Sequence, residues 1–320
     1  MLKKKKKMLK KKTISKKPPV LHRLIRDMTS EAYHGTAGIW SSSQLKVVLE
    51  DEELFIQKYI KNMVPREEKE SFDTGTYFHT KVLEPHKIEK EIAVFTGKAR
   101  YGKEWEKFKL SSNGRTAITQ KQKSQGDMMA KAVLDSPIST EYIRGEPEVT
   151  LFVRLLIADG TIYAPNYLRA LTPDGWVSVK KVPAKGFEIL VKVRADCLGE
   201  DFISDLKSTS GRANKSGSVR GSISKYMYDL SAALYLDIFS LEKPDLERFI
   251  WIFASKENPI AAAWAASESQ IRVGRAKWMK ALLRIADLSK ANWEIVDYLR
   301  EAEPLPHELE WLKVKESDLL

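Results

Sequence analysis

Two aspartates and a lysine, Asp196, Asp205 and Lys207, fall in one short stretch that reads as a β-hairpin. Alternation places Lys192, Arg194 and Asp196 on one side of its first strand and Val191, Val193 and Ala195 on the other. Gly199-Glu200 reads as the turn. A two-residue loop there sets Asp196 opposite Ile203, with Asp205 as diagonal neighbour on the same face, roughly 7–8 Å away. Lys207 shares that face while Leu206 points back into the core. Two carboxylates so spaced reach one divalent ion, and a lysine beside them on a strand pair suits metal-dependent hydrolysis of a phosphodiester. An Asp-x-Lys tripeptide also arises as a solvated strand face with a surface ion pair, so the rest of the chain must carry the argument.

The chain has 320 residues, enough for one large domain or two ordinary ones, and 43% of them are hydrophobic. No run of eighteen apolar residues offers a membrane span. The single cysteine, Cys197, excludes a disulfide framework and cannot alone hold zinc or an iron–sulfur cluster; alternation puts it on the core side. Net charge is +11, but ten lysines lie within the first seventeen residues, leaving a body close to +1. Residues 1–19, ending at Pro18-Pro19, read as a disordered arm. Such an arm can hold DNA phosphates through counterion release, and it also resembles a nuclear-import signal or a solubilising tail. It lacks the apolar segment of a secretory signal, so the expected compartment is reducing and cytoplasmic. Residues 20–320 read as a single domain.

The elements that must position the carboxylates follow in order. Ser41-Ser42-Ser43 caps a helix with apolar positions 45, 48, 49 and 55. A second helix runs from Ser71 through Gly75 and His79 and is closed by Pro85. A third spans about 119–134. Strand-like segments occupy 148–156 and 189–206, and 157–186, with Pro165, Pro173-Asp174-Gly175 and Pro183, reads as an excursion from the sheet. A Ser, Gly and basic loop over 208–222 precedes a helix over 225–239, strands at 249–255 and 261–267, and an amphipathic helix over 269–290. The order predicts one α/β domain with a mixed sheet and no internal repeat.

Several pieces in this order resemble a known family. They are Gly75-x-x-x-His79 followed by Leu83-Glu84-Pro85, then Glu148, Asp196, Asp205-x-Lys207 and Tyr228-Asp229-Leu230-Ser231-Ala232-Ala233-Leu234-Tyr235. Together they resemble the PD-(D/E)xK nuclease superfamily and, within it, the RecE-type exonuclease domain of the exonuclease VIII group. Lys103-Glu104-Trp105, Ile118-Thr119, Trp293 and Leu305-Pro306 add to the likeness, which covers about residues 39–312. The chain departs from the pattern at Ala195, where proline usually precedes the first aspartate. It carries Asp205 rather than glutamate, and Ser231 in place of the glutamine of Gln-x-x-x-Tyr. The stretch 157–186 is longer than the usual connection.

The resemblance implies a restriction-endonuclease-like core, a mixed central β-sheet flanked by α-helices. It implies one or two Mg²⁺ ions, with Mn²⁺ as substitute, held by Asp196, Asp205 and the Leu206 carbonyl, with Glu148 and His79 completing the set. Lys207 would orient or help deprotonate the attacking water. The implied activity is exodeoxyribonucleolytic, on double-stranded DNA ends, 5′→3′, leaving 3′ single strands for recombination. A ring-shaped homo-oligomer, a RecT-like annealing partner and a phage or prophage setting come with it. A related nuclease of other polarity and a catalytically silent DNA-binding or assembly protein of the same fold are the alternatives. DNA contacts are expected from Arg212, Lys215 and Arg220, which closely follow the catalytic strand. Ser41 and Ser43 at a helix start, and Tyr235, are the further candidates.

Overall fold

The computed structural model describes residues 22–65, 70–97 and 100–295. The lysine arm and Leu305-Pro306 lie outside them. The first described elements are α1 (Ser30–His34), β1 (Ile39–Trp40) and α2 (Ser42–Glu50). Ser41 starts α2, its N–H and Oγ both reaching Gln44 Oε1 at 2.9 Å. Next come α3 (Glu52–Phe55), a π-helical turn and α4 (Glu70–Leu83), which ends just before Pro85 as the sequence predicts. A small subsheet follows: α5 (Ile88–Glu91), β2 (Ile92–Phe95), α6 (Gly102–Ser111) and β3 (Thr116–Thr119), with β2 and β3 parallel. Thr119 and Gln122 form a capping box that starts α7 (Gln120–Leu134), and α8 (Pro137–Glu141) follows.

The main sheet begins with β4 (Glu146–Ala158), then β5 (Thr161–Ala164), β6 (Arg169–Thr172) and β7 (Gly175–Ser178). These three short antiparallel strands correct the expectation for 157–186, which extends the sheet instead of leaving it. The hairpin is β8 (Phe187–Leu198) and β9 (Phe202–Thr209). Then come α9 (Ser216–Lys225) and α10 (Tyr228–Phe239), β10 (Arg248–Ser255), β11 (Ala261–Ala265) and α11 (Glu268–Lys290). The expected loop over 208–222 is thus helical from Ser216. Val219 and Ile223, four apart, bury one face of α9 and outweigh the poor propensity of Gly217 and Gly221. The helix expected from Lys225 is interrupted at Met227, which takes a left-handed conformation (φ 44°).

The sheet order is β11-β10-β9-β8-β4-β5-β6-β7, with β1 alongside β8. One face is covered by α2, α10 and α11, where Leu45, Leu230, Leu234, Trp278 and Leu282 meet Val193, Phe249 and Trp251. On the other face Phe78 and Val82 of α4 join Met129 and Val133 of α7 over Leu206, Ile250 and Ile252. Helix α10 is also pinned by charge. Buried Asp237 accepts from Arg275 (2.7 Å) and from Trp278 Nε1 (2.9 Å) on α11.

Helices α10 and α11 approach closely at Gly274, where an added Cβ would lie 2.0 Å from the Asp229 carbonyl oxygen. Backbone cannot yield as a flexible side chain does, so Gly274→Ala is expected to destabilise the protein by about 1–3 kcal/mol. The urea midpoint should fall; an unchanged midpoint would show that the two helices do not touch there.

Candidate active site

The site is built where two strands part. The hairpin turn is Glu200-Asp201, closed by the Gly199 N–H donating to the Phe202 carbonyl at 2.8 Å, and not Gly199-Glu200 as the sequence suggests. The shift pairs Leu198 with Ile203, both buried, and Cys197 with Ser204. It therefore brings Asp196 level with Asp205 instead of diagonal to it. The β8–β9 ladder stops before that level. The Asp196 carboxylate takes over, accepting the Leu206 N–H on Oδ2 at 2.8 Å. Beyond the fork the vacated edge of β8 pairs with β1, through Leu190 and Val191. β1 leads directly into α2, which sets Ser43 on the cleft wall.

On the other side of β8, β4 continues the same register on both sides of Glu148 and brings it level with Asp196. Glu148 itself has φ 51°, a left-handed conformation that glutamate rarely adopts. Sparsely populated backbone of this kind gathers at functional sites. His79 reaches in from α4, its Nδ1 3.3 Å from Asp196 Oδ2. Ligand atoms of His79, Glu148 and Asp196 all lie within 4.8 Å of one another, and all three residues are half-buried. Asp205 stands beside this trio but is engaged elsewhere: its Oδ2 receives Lys207 Nζ at 2.5 Å.

The protonation equilibria express the crowding. Burial, then the neighbouring Asp196 charge, pushes Glu148 up to about 8. Burial also raises Asp205 to about 6, although Lys207 pulls the other way. The carboxyl of Asp196 is raised by burial too, against the pull of Lys207. Burial and Lys207 drive His79 down to about 4, so its imidazole is neutral and can act as a ligand. Burial disfavours the Lys207 ammonium, but Asp205 and Asp196 together outweigh that and keep it protonated. Two carboxyls and a neutral imidazole so placed fit a hard divalent cation, whose charge would relieve the repulsion that raises the carboxyls.

The cleft over these residues encloses about 910 Å³. Gly75, Thr76 and His79 of α4 line it together with Met28, Thr29, Ser43 and Tyr228. A Cβ at Gly75 would meet nothing within 4 Å, so this glycine leaves the cleft open without being required by packing. Among the other sequence candidates, Arg212, Lys215 and Arg220 are exposed on or before α9, outside the cleft lining. Ser41 serves as a helix cap. Tyr235 does not reach the cleft: its ring packs edge-on against Phe249 and its hydroxyl bonds Ser42.

Sequence reasoning passed over residues that the fold brings in from a distance. Arg194 holds Glu148 at 3.5 Å, donates to the Met28 carbonyl at 2.9 Å and lies over the Tyr33 ring. Lys192, also on β8, donates to the Tyr33 carbonyl and to Thr36. These two cations fasten the segment before β1 as a cleft wall. Lys46 of α2 lies over the Tyr228 ring at 5.2 Å, and Lys207 lies 5.1 Å from the same ring. No local pattern marks Lys46; it reads as one lysine of an amphipathic helix.

A large mixed sheet flanked by helices, with a forked hairpin carrying Asp196, Asp205 and Lys207, defines an α/β fold. The chain superposes on the crystal structure of a protein from Eubacterium rectale provisionally designated an exonuclease. That match has a TM-score of 0.53 and 12% sequence identity over 88% of this chain and 97% of that one. At this identity the likeness is one of fold alone. A second solved structure, also 12% identical, covers 74% of this chain and 84% of its own at a TM-score of 0.24, and carries no argument. No protein-family model matches the chain, and no curated protein matches it.

The raised carboxyls fix the sign of a pH effect. A carboxyl that binds its proton more tightly when folded costs stability as pH rises from its unfolded value through its folded one. For Asp205 this ends near pH 6 and is partly offset by His79, whose lowered value acts in the opposite direction. Between pH 6.5 and 8 the loss falls on Glu148 together with the raised carboxyl of Asp196 beside it. In EDTA the protein should lose stability across that window, and Glu148→Gln should flatten the loss. Denaturant titrations at a series of pH values check this; parallel curves for the two proteins would show that Glu148 is not raised.

Proposed function

We propose that the protein is a divalent-metal-dependent nuclease that hydrolyses DNA phosphodiester bonds from duplex ends. The observation that carries this reading is the convergence of His79, Glu148 and Asp196 within 4.8 Å, beside the Asp205–Lys207 pair on the next strand. When bound, Mg²⁺ or Mn²⁺ polarises the phosphoryl oxygens and lowers the pKa of a coordinated water.

The residues of the chain account for the rest. His79, Glu148 and Asp196 hold the ion, joined by Asp205 and the Leu206 carbonyl on the edge of the fork. Lys207, kept charged by Asp205, orients the attacking water and offsets charge developing on the scissile phosphate. Arg194 limits repulsion at Glu148 and keeps the cleft wall in place. Lys87, Lys90 and Lys256 line the same cleft and are suited to neighbouring phosphates. The finer features rest on resemblance to the RecE-type exonucleases: attack from the 5′ end, 3′ single-stranded products, a ring-shaped homo-oligomer and a RecT-like annealing partner. The lysine arm, on this reading, adds phosphate contacts along the flanking duplex.

Digestion of a linear duplex labelled separately at its 5′ and 3′ ends, with and without Mg²⁺, tests the reading. Asp205→Ala and Lys207→Ala should each lower the rate about 100-fold or more, since loss of such a group costs several kcal/mol in the transition state. Binding to DNA should change little. Retention of a tenth of the rate by either variant would remove that residue from the chemistry, and Mg²⁺-independent digestion would overturn the proposal itself.

Asp196→Asn removes one anionic ligand and should raise the Mg²⁺ concentration needed for half-maximal rate. An unchanged titration would place Asp196 outside the metal's ligand set.

A further inference from the structure

The interruption between α9 and α10 leaves two tyrosines on the cleft. Tyr226 ends one helix and Tyr228 begins the next, and Met227 between them occupies a left-handed conformation costly for a residue with a long side chain. Their rings lie 5.5 Å apart in a tilted arrangement, the planes inclined by 31°. Tyr226 is 49% exposed, and both line the cleft. Three ammonium groups surround the pair: Lys225 is 5.4 Å from the Tyr226 ring, and Lys46 and Lys207 are 5.2 and 5.1 Å from that of Tyr228. Lys207 is also the partner of Asp205, so the tyrosine pair begins beside the carboxylates. Phe72, 54% exposed on the first turns of α4, contributes a further aromatic surface to the cleft.

An exposed ring beside a second, with cations around the pair and an acidic cluster next to it, matches what an unpaired nucleotide strand requires: an aromatic face for the base and positive charge for the backbone. Inside a duplex both faces of a base are already stacked, and at a closed end the one open face belongs to a base still held by its pair, whereas an unpaired base is free to seat fully on a ring. A cleft of about 910 Å³ takes a short stretch of one strand.

Resting on the nuclease reading, we infer that Tyr226 and Tyr228 form a base-stacking platform, and that the strand to be cut enters the cleft unpaired. A paired end must then fray before it is cut, and the platform offsets part of the lost base stacking.

The test uses the full-length protein in EDTA, so that no cleavage occurs, with 2-aminopurine as the terminal base of one strand. Stacking on tyrosine quenches its fluorescence. Single strands and duplexes with mismatched ends should be quenched strongly, and a duplex closed by G·C pairs weakly. Tyr226→Leu should abolish the quench and weaken single-strand binding about 5- to 100-fold, while Tyr226→Trp preserves both. Equal quenching by wild type and Tyr226→Leu would overturn the inference, as would preference for the closed duplex. Mg²⁺-dependent cutting measured in parallel separates the two claims. Cutting without a Tyr226-dependent quench sinks the platform alone, and a Tyr226-dependent quench without cutting sinks the nuclease reading alone.

Discussion

Everything at the candidate site depends on like charges held together away from water. Glu148, Asp196 and Asp205 come from three adjacent strands, and no chain would gather three carboxyls there by preference. Covalent continuity forces the arrangement: each residue is carried into place by a strand whose apolar neighbours are buried. Val149, Ala195 and Ile203 are completely buried next to or near these acids. The apolar burial at stake, about 25 cal/mol per Å², is large enough to hold the acids in an arrangement that electrostatics opposes. The remaining unfavourable energy appears as raised carboxyl pKa values, and it is relieved when a proton or a cation arrives.

Hydrogen bonding fixes the shape of the cluster. Where the hairpin forks, the Leu206 N–H loses its place in the β8–β9 ladder, and a buried N–H without a partner would be costly. Asp196 supplies the acceptor. One carboxylate oxygen thus satisfies the backbone of the neighbouring strand, which fixes the orientation of the other. Lys207 does the same for Asp205, and Arg194 for Glu148. These partners are too few to satisfy the three acids and enough to orient them.

Much of this was legible in the sequence. The cap at Ser41, the helix from about residue 119, the stop at Pro85 and the alternation around Asp196 and Lys207 are local signals, and each corresponds to an element of the fold. The turn was misread by one residue because Gly199-Glu200 and Glu200-Asp201 differ little as dipeptides. The register was decided by Leu198 and Ile203, which are buried together only when the turn is Glu200-Asp201. Strands β5, β6 and β7 have four residues each, too few for alternation to stand out against Pro165 and Pro173. Lys46, Arg194 and Tyr226 acquire their surroundings from parts of the chain far from them in sequence, and no spacing rule records that.

The replacement of β9 by β1 along the edge of β8 has a consequence for how the molecule comes into being. Ile39 and Trp40 leave the ribosome well before Leu190 and Val191 exist, so the strand that completes the fork must wait for most of the sheet to be made. Until it docks, a stretch of β8 rich in valine and leucine presents unpaired N–H and carbonyl groups, the kind of edge that recruits strands from other chains. Contacts so distant in sequence also form slowly. The opening that admits a ligand to the mature protein is thus, during synthesis, a point of exposure to aggregation, and its safety depends on how soon a two-residue strand finds its place.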